Sequence, residues 1–206
     1  MKRSLNLAVL GIDHGHIFDM LDEMIKEGCN CNHFWTEGSP LTLNEFNKKY
    51  PNIKRVENKS EILKDNKIDM ILISSIPKDR ATLSIEALKS GKDVMVDKPG
   101  CTTLNQLDDL RRTVKETGKI WSVNFSERFH VAAVAKAEEL VAEGKIGKVK
   151  QIIGTGPHRQ GNYERPDWFY ERESYGGIIT DIGSHQIHHF LVFTHSNEAQ
   201  ITHSMV

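Results

Sequence analysis

A carboxylate and an imidazole stand four residues apart late in the chain, at Asp181 and His185. Residues four apart share one face of an α-helix, and a buried aspartate beside a histidine fixes the tautomer of the imidazole and raises its basicity. Such a pair can exchange a proton with a substrate hydroxyl. The preceding Gly176-Gly177 allows close approach of the backbone to a ligand. Taken alone, the pair is more often a surface or capping arrangement.

The same segment also permits a metal interpretation. Asp181, His185 and His189 lie along one stripe of a helix, and His188 stands beside them. Ligands spaced along a straight helix in this way lie too far apart to converge on one Zn²⁺ ion. We therefore expect no metal site. A metal-dependent hydrolase is the third function class to test, because it predicts stoichiometric zinc.

A lysine follows a short apolar run in the sequence Asp97-Lys98-Pro99. Pro99 favours an extended conformation for the lysine. A lysine at the end of a buried strand can hydrogen-bond a hydroxyl or carbonyl group, and its pKa falls readily when it is desolvated. Without other evidence, a solvent-exposed lysine at a strand exit is the commoner outcome.

Residues 11–16 (GIDHGH) form a glycine turn after the first apolar run. They match the G-x-G-x-x-G dinucleotide fingerprint incompletely, because Asp13 and His16 replace its second and third glycines. A pyrophosphate can still bind the N–H groups of the helix start, provided that Asp13 turns away or caps the helix. Glu37 is the candidate for the ribose hydroxyls. The alternatives are a plain tight turn and a solvated glutamate.

Apolar and amphipathic segments alternate through the first half of the chain. Apolar runs predict buried parallel strands at residues 5–10, 31–35, 70–73, 94–96 and 120–125. Helical spacing predicts helices between them, one of which opens at Thr42 with a capping box. Strands that alternate with helices form a doubly wound sheet that binds ligands at its carboxyl edge. We therefore predict an α/β fold, with an N-terminal Rossmann-like parallel sheet in a dinucleotide-binding domain of residues 1–123.

The pattern changes from residue 124 onward. A helix is predicted up to Gly144, a strand over 148–154, a second helix over 178–193 and a final strand over 199–206. These elements predict the start of an α+β domain over residues 124–206. Because the final strand has no following strand to pair with, we expect this domain to be incomplete and the chain to be a fragment of a longer protein.

Composition excludes several classes of partner. The chain has 206 residues, a formal net charge of −1 and no clustering of its basic residues, so we expect neither a nucleic-acid nor a membrane partner. The three cysteines are too few and too irregular for a disulfide framework. The first apolar run lacks a cleavage site. These features predict a cytoplasmic protein.

Several motifs, in order, resemble the glucose-fructose oxidoreductase, inositol 2-dehydrogenase and rhizopine-catabolism (Gfo/Idh/MocA) family over essentially the whole chain. Asp97-Lys98-Pro99 resembles the E-K-P signature with a conservative change. The glycine pair at 176–177, followed by Asp181, Gly183 and His185, resembles the G-G-x-x-x-D-x-G-x-H element. Supporting matches are Ser75-Ile76-Pro77, Asn124 to Phe129, Gly144-x-Ile146-Gly147 and Pro166-x-Trp168.

This resemblance implies hydride transfer between NAD or NADP and a hydroxyl-bearing carbon of a sugar, polyol or related small molecule. Lys98 would polarise the substrate oxygen, His185 would exchange the proton, and Asp181 would hold a substrate hydroxyl or the imidazole. The remaining expected site residues bind the cofactor (Gly11, Asp13, His14, Gly15, His16, Glu37, Ser75, Pro77, Asp97, Lys98 and Asn124) or the substrate (Arg128, His158 and Trp168).

Two further expectations concern the cofactor and the assembly. No arginine stands beside Glu37 to hold a 2′-phosphate, which favours NAD over NADP. The resemblance also implies a homo-oligomer formed through the second domain. The alternative function is a non-catalytic dinucleotide-binding or regulatory protein that keeps the fold.

Overall fold

A six-stranded, all-parallel sheet forms the centre of the computed structural model, which describes residues 4–156 and 164–205. Its strand order is β3-β2-β1-β4-β5-β6, the doubly wound arrangement predicted from the sequence. The strands are β1 (Asn6–Leu10), β2 (Asn30–Trp35), β3 (Lys54–Arg55), β4 (Met70–Ile73), β5 (Asp93–Asp97) and β6 (Trp121–Asn124). The order reverses between β1 and β4, and ligands bind in the crevice at such a switch point.

Helices connect these strands and are the regular secondary structure of the described residues after Asn124. They are α1 (His16–Lys26), α2 (Leu43–Lys49), α3 (Lys59–Lys64), α4 (Pro77–Lys89), α5 (Leu104–Thr117), α6 (Ser126–Phe129), α7 (Ala132–Ala142), α8 (Arg172–Tyr175) and α9 (Ser184–Thr194). A 3₁₀-helix, Asp167–Tyr170, precedes α8. A π-helical turn, Ile179–Gly183, leads directly into α9.

Both faces of the sheet are covered, which explains why its central strands are continuous apolar runs. Ile71 and Ile73 of β4 pack in one buried cluster with residues of α4 and α5, whereas Leu72 packs in the other. Successive strand side chains point to opposite faces of a sheet, so an apolar residue is needed at each of these positions. Phe34 and Phe46 in the second cluster pack against each other with ring centroids 4.7 Å apart and ring planes tilted by 49°.

The starts of α2, α3 and α5 differ in whether a capping box forms. The capping box predicted at Thr42 is wrong, because Thr42 has a helical backbone and its hydroxyl donates to the carbonyl of Ile12 instead. Capping boxes do form at the starts of α3 and α5, where the N-cap residues Asn58 and Thr103 have extended backbones. The sequence analysis did not predict β3 or α3, which are short and largely polar.

The two strands predicted in the second half are also wrong. Residues 148–154 and 199–205 lie outside any sheet, and the described residues after Asn124 contain no strand. A strand needs a neighbour to hydrogen-bond its N–H and C=O groups, and neither segment has one there. No described helix combines the length and apolarity needed to cross a membrane.

Candidate active site

Side chains from both halves of the chain meet at the carboxyl end of the sheet, beside the β1–β4 switch point. They line a cavity of about 280 Å³ whose walls include His14, His16, Lys98, Arg165, Asp181 and His185. All three predicted catalytic residues thus face one space. Lys98 directly follows β5, whereas Asp181 and His185 come from the π-helical turn and α9.

Lys98 and Asp181 form a buried ion pair. The Lys98 ammonium lies 2.7 Å from Asp181 Oδ1, and the two side chains are only 4% and 8% exposed. The sequence analysis paired Asp181 with His185 on the assumption of a regular helix. Asp181 instead lies in the π-helical turn, where the residue spacing of an α-helix does not apply.

His185 is buried and neutral. Burial, and after it the positive charge of Lys98, lowers the pKa of His185 to about 3. Its Nδ1 has no hydrogen-bond partner among the described residues, and the nearest carboxylate oxygen, Glu127 Oε2, is 3.9 Å away. A buried polar nitrogen is normally satisfied, so His185 is equipped to bind a group that enters the cavity.

Arg80 fixes the backbone that carries Lys98, and its side chain is fully buried. Its Nε donates to the carbonyl of Ser75 at 2.8 Å, and its Nη1 donates to the carbonyls of Asp97 and Lys98 at 3.0 and 2.5 Å. The sequence analysis assigned no role to Arg80. An arginine within a helical pattern is usually solvated, and only the structure shows the carbonyl groups that surround it.

Asp97 is the anionic partner of this arginine. Arg80 Nη2 lies 2.9 Å from Asp97 Oδ2, an ion-pair contact that lacks the angles of a hydrogen bond. Burial alone would raise the pKa of Asp97, but the charge of Arg80 and the hydrogen bond from His16 outweigh it and hold the pKa far below its ordinary value. Asp97 is therefore a buried carboxylate at any physiological pH.

Two histidines occupy the glycine turn. His16 Nδ1 lies 2.8 Å from Asp97 Oδ1. The backbone N–H of His16 donates to Nδ1 of His14 at 3.2 Å, and burial lowers the pKa of His14 to about 3. The first N–H of α1 is thus satisfied by His14, while Gly15 is the N-cap residue and Asp13 makes no capping bond.

A second cavity, of about 310 Å³, lies on the other side of the turn, where its walls include Gly11, Asp13, Glu37 and Ser75. Gly11 has φ +80°, and a Cβ atom there would lie 2.4 Å from Ser75 Cβ, so only glycine fits. Burial raises the pKa of Asp13 to about 6. Glu37 shares this cavity with Lys59, which pairs with Glu86 at 2.6 Å.

The two cavities share the glycine turn. The turn of residues 11–16 lies between them and contributes residues to both. Asn124 stands beside Asp97 in the sheet register, and its buried Nδ2 has no hydrogen-bond partner within residues 4–156 and 164–205, which leaves a donor for a bound group. Pro77 begins α4 two residues after Ser75. These residues would hold the nucleotide at the carboxyl edge of the sheet.

The remaining predicted residues lie apart from the Lys98 cavity or outside the described residues. Arg128 pairs with both carboxylate oxygens of Glu138, at 3.0 and 2.5 Å, and lines another cavity. Trp168 lines a cavity beside Asp13, with its ring 6.3 Å from that of His14. His158 lies outside the described residues.

Among the described residues, His14, His16 and Asp97 form a group of potential metal ligands, whose ligand atoms all lie within 4.8 Å of one another. The buried Arg80 already matches the charge of Asp97, and Lys98 adds a second positive charge, so the place is unfavourable for a divalent cation. Beside the predicted stripe of Asp181, His185 and His189, His188 stacks on Phe125 with ring centroids 4.0 Å apart.

The fold and the turn between the two cavities define a dinucleotide-binding protein of the Rossmann class. Residues 32–125 match the family model described as oxidoreductase family, NAD-binding Rossmann fold, and residues 134–205 match the GFO/IDH/MocA C-terminal domain. The chain belongs to the Gfo/Idh/MocA oxidoreductase family, as its motifs predicted.

Individual relatives agree with this assignment. D-xylose dehydrogenase of Paenarthrobacter nicotinovorans is 29% identical over 60% of this chain and 33% of its own length. The scyllo-inositol 2-dehydrogenase (NAD(+)) of Bacillus subtilis is 35% identical over 45% of this chain and 27% of its own length. A crystal structure of a protein from Erwinia carotovora atroseptica SCRI1043 superposes with a TM-score of 0.89 at 41% identity, covering 93% of this chain and 57% of that one. The chain spans less than half the length of the curated relatives it matches.

Proposed function

We propose that the protein is an NAD(P)-dependent oxidoreductase that transfers a hydride between nicotinamide and a hydroxyl-bearing carbon of a sugar or polyol. The observation that carries this proposal is the convergence of Lys98, Asp181 and His185 on one cavity at the carboxyl edge of the sheet. Removal of a hydride from a carbinol carbon requires a base for the hydroxyl proton and a cation for the oxygen. This cavity offers both.

Each side chain has a distinct part in this reaction. The ammonium of Lys98, held by Asp181 at 2.7 Å, donates a hydrogen bond to the substrate oxygen. The neutral imidazole of His185 takes the hydroxyl proton at a ring nitrogen. Arg80 keeps the backbone of residues 97–99 in place through their carbonyl groups. The position of the Lys98 ammonium in the cavity is therefore fixed. The bound cofactor supplies the hydride acceptor.

The cofactor is expected to lie across the glycine turn, with Gly11, Ser75 and Pro77 near its nucleotide end and Asn124 near its reactive end. Glu37 favours NAD, because its carboxylate would hydrogen-bond free ribose hydroxyls and repel a 2′-phosphate. The relative from Bacillus subtilis carries NAD(+) in its name. Lys59 in the same cavity is engaged with Glu86, and the other ionisable side chains that line it, Asp13, Glu37 and Asp79, are all acidic.

The substrate class is inferred from the relatives and the cavity, and the assembly from exposed apolar side chains. Relatives named for xylose and inositol and a cavity lined by charged side chains favour a ligand with several hydroxyl groups. We further propose a homo-oligomer formed through residues 124–206, because Ile153, Ile178 and Ile179 are 80%, 59% and 70% exposed there. A cytoplasmic location is consistent with three free cysteines.

The decisive experiment is a screen of sugars and polyols with NAD and NADP, monitored at the nicotinamide absorbance. We expect turnover with at least one substrate, and a kcat lowered by roughly 10²–10⁴-fold in Lys98→Ala and His185→Ala. Lys136→Ala, an exposed lysine paired with Glu139, is the matched control. Cofactor binding without turnover across the panel would instead favour the non-catalytic dinucleotide-binding alternative.

A further inference from the structure

The contact between Asp97 and His16 has the form of a carboxylate–imidazole pair that acts as a base. Asp97 Oδ1 lies 2.8 Å from Nδ1 of His16, and the Asp97 side chain is fully buried. Because Arg80 keeps the carboxylate ionised, Nδ1 must carry the proton of this hydrogen bond. The other ring nitrogen, Nε2, is therefore the basic one, as in other histidines oriented by a buried aspartate.

His16 differs from His185 in two ways that matter for a proton. Its side chain is 29% exposed, whereas that of His185 is 3% exposed. A proton on His185 would be buried next to the ammonium of Lys98. A proton on His16 would instead be balanced by the carboxylate of Asp97, so the same cavity wall offers a more favourable place for the charge.

We propose that Asp97 and His16 form a proton-accepting dyad that removes the substrate's hydroxyl proton from the cavity and releases it to solvent. This inference rests on the proposed function. In the oxidation of an alcohol the C–H and O–H bonds break and a C=O bond forms. The hydride, with its electron pair, goes to nicotinamide, and the proton, first taken up by His185, passes to Nε2 of His16 in the same cavity before it leaves to water. His16 is then an imidazolium paired with Asp97 until release.

The sequence context supports a dedicated contact. His16 occupies the third glycine position of the dinucleotide fingerprint, and a glycine there could not reach Asp97. The charged groups that face the dyad have opposite effects on a positive charge at His16. Arg80 and Lys98 oppose a positive charge on His16, whereas Asp97 favours it. The other titratable and charged groups around it are His14, Glu127, Arg165, Asp181 and His185.

The first test needs neither cofactor nor substrate. We expect ¹⁵N NMR of histidine-labelled protein to show His16 as the Nδ1–H tautomer at pH values where the ring is neutral, with His16→Gln used to assign the signal. Asp97→Asn should shift His16 towards the Nε2–H tautomer. A wild-type His16 in the Nε2–H form would overturn the dyad.

The second test measures turnover in the full-length protein. His16→Gln should lower kcat by roughly 10²-fold with little change in KM, and added imidazole should partly restore kcat in His16→Ala. His130→Gln is the matched control, because His130 also stands beside an aspartate, at 4.0 Å, but that aspartate, Asp19, is 63% exposed, whereas Asp97 is fully buried. A wild-type kcat in His16→Gln would refute the dyad alone. Absence of turnover in the wild type would refute the proposed function and, with it, this role for the dyad.

Discussion

The ammonium of Lys98 lies 2.7 Å from the carboxylate of Asp181, although 83 residues separate them in the sequence. This contact joins the sheet to the π-helical turn of the second half. Since both side chains are buried, each depends on the other for compensation of its charge. The pair is thus structural as well as part of the proposed chemistry.

Removal of one partner of this pair should cost more stability than removal of both. Lys98→Met is expected to lower the free energy of unfolding by about 3–5 kcal/mol, because it leaves Asp181 buried and unpaired. The double variant Lys98→Met/Asp181→Leu should recover most of that loss. Urea denaturation measures the free energy of unfolding of the single and the double variant. An equal or larger loss in the double variant would contradict the coupling.

Arg80 should be among the positions most sensitive to substitution. Arg80→Met removes the cation from Asp97 and the donors from four backbone carbonyls, so we expect a loss of about 3–5 kcal/mol in the free energy of unfolding. Arg112→Met, which removes an exposed arginine that pairs with Asp109, should change it by less than about 0.5 kcal/mol. Similar losses in the two variants would show that burial of Arg80 is unimportant.

Asp13 should make the fold less stable as the pH rises. Its pKa is raised from 3.8 to about 6, so between these values the folded state binds more protons than the unfolded state, and stability falls with increasing pH. Asp13→Asn should therefore be more stable than the wild type above pH 6, whereas the two should converge below 3.8. Thermal unfolding across this range tests the sign. A variant less stable than the wild type at pH 8 would contradict it.

His185 should make the fold less stable as the pH falls. Its pKa is lowered from 6.5 to about 3, so the unfolded state binds more protons in that window, and the stability present above pH 6.5 is lost as the pH falls. His185→Gln should show a shallower loss than the wild type in urea denaturation between pH 7 and pH 4. His203→Gln, at an exposed histidine, should retain the wild-type slope.

Glu37 should govern the choice between NAD and NADP. In Glu37→Ser the repulsion of a 2′-phosphate is removed, and we expect the ratio of NADP to NAD affinity to rise by roughly tenfold, equivalent to about 1.4 kcal/mol. Calorimetric titration with each cofactor measures this ratio. Glu57→Ser, at an exposed position, serves as the control. An unchanged ratio would remove Glu37 from the cofactor site.

The sheet could be predicted from the sequence because its strands are buried on both faces. Apolar runs at residues 70–73 and 94–96 marked β4 and β5 closely, since burial leaves little freedom in residue type. The strands predicted at 148–154 and 199–206 rested on shorter and more polar local patterns. A strand forms only where a neighbouring strand can hydrogen-bond to it, and the local sequence pattern does not show whether such a neighbour exists.

The site was predicted in part for a similar reason. Motifs brought Lys98, Asp181 and His185 to one place, and the structure puts them in one cavity. The partner of Asp181 was not predictable, because a π-helical turn breaks the spacing on which the Asp181–His185 pairing relied. Arg80 was missed because burial of a guanidinium depends on carbonyl groups supplied by distant segments.

The contacts of Arg80 have a consequence for protein engineering. The lysine-bearing segment after β5 is held from α4 through the carbonyls of residues 97–99, so it is not a self-contained loop. Transplanting Asp97-Lys98-Pro99 onto another parallel sheet would carry the reactive side chain without its anchor. A working graft would need the start of α4 as well, with an arginine at the equivalent depth.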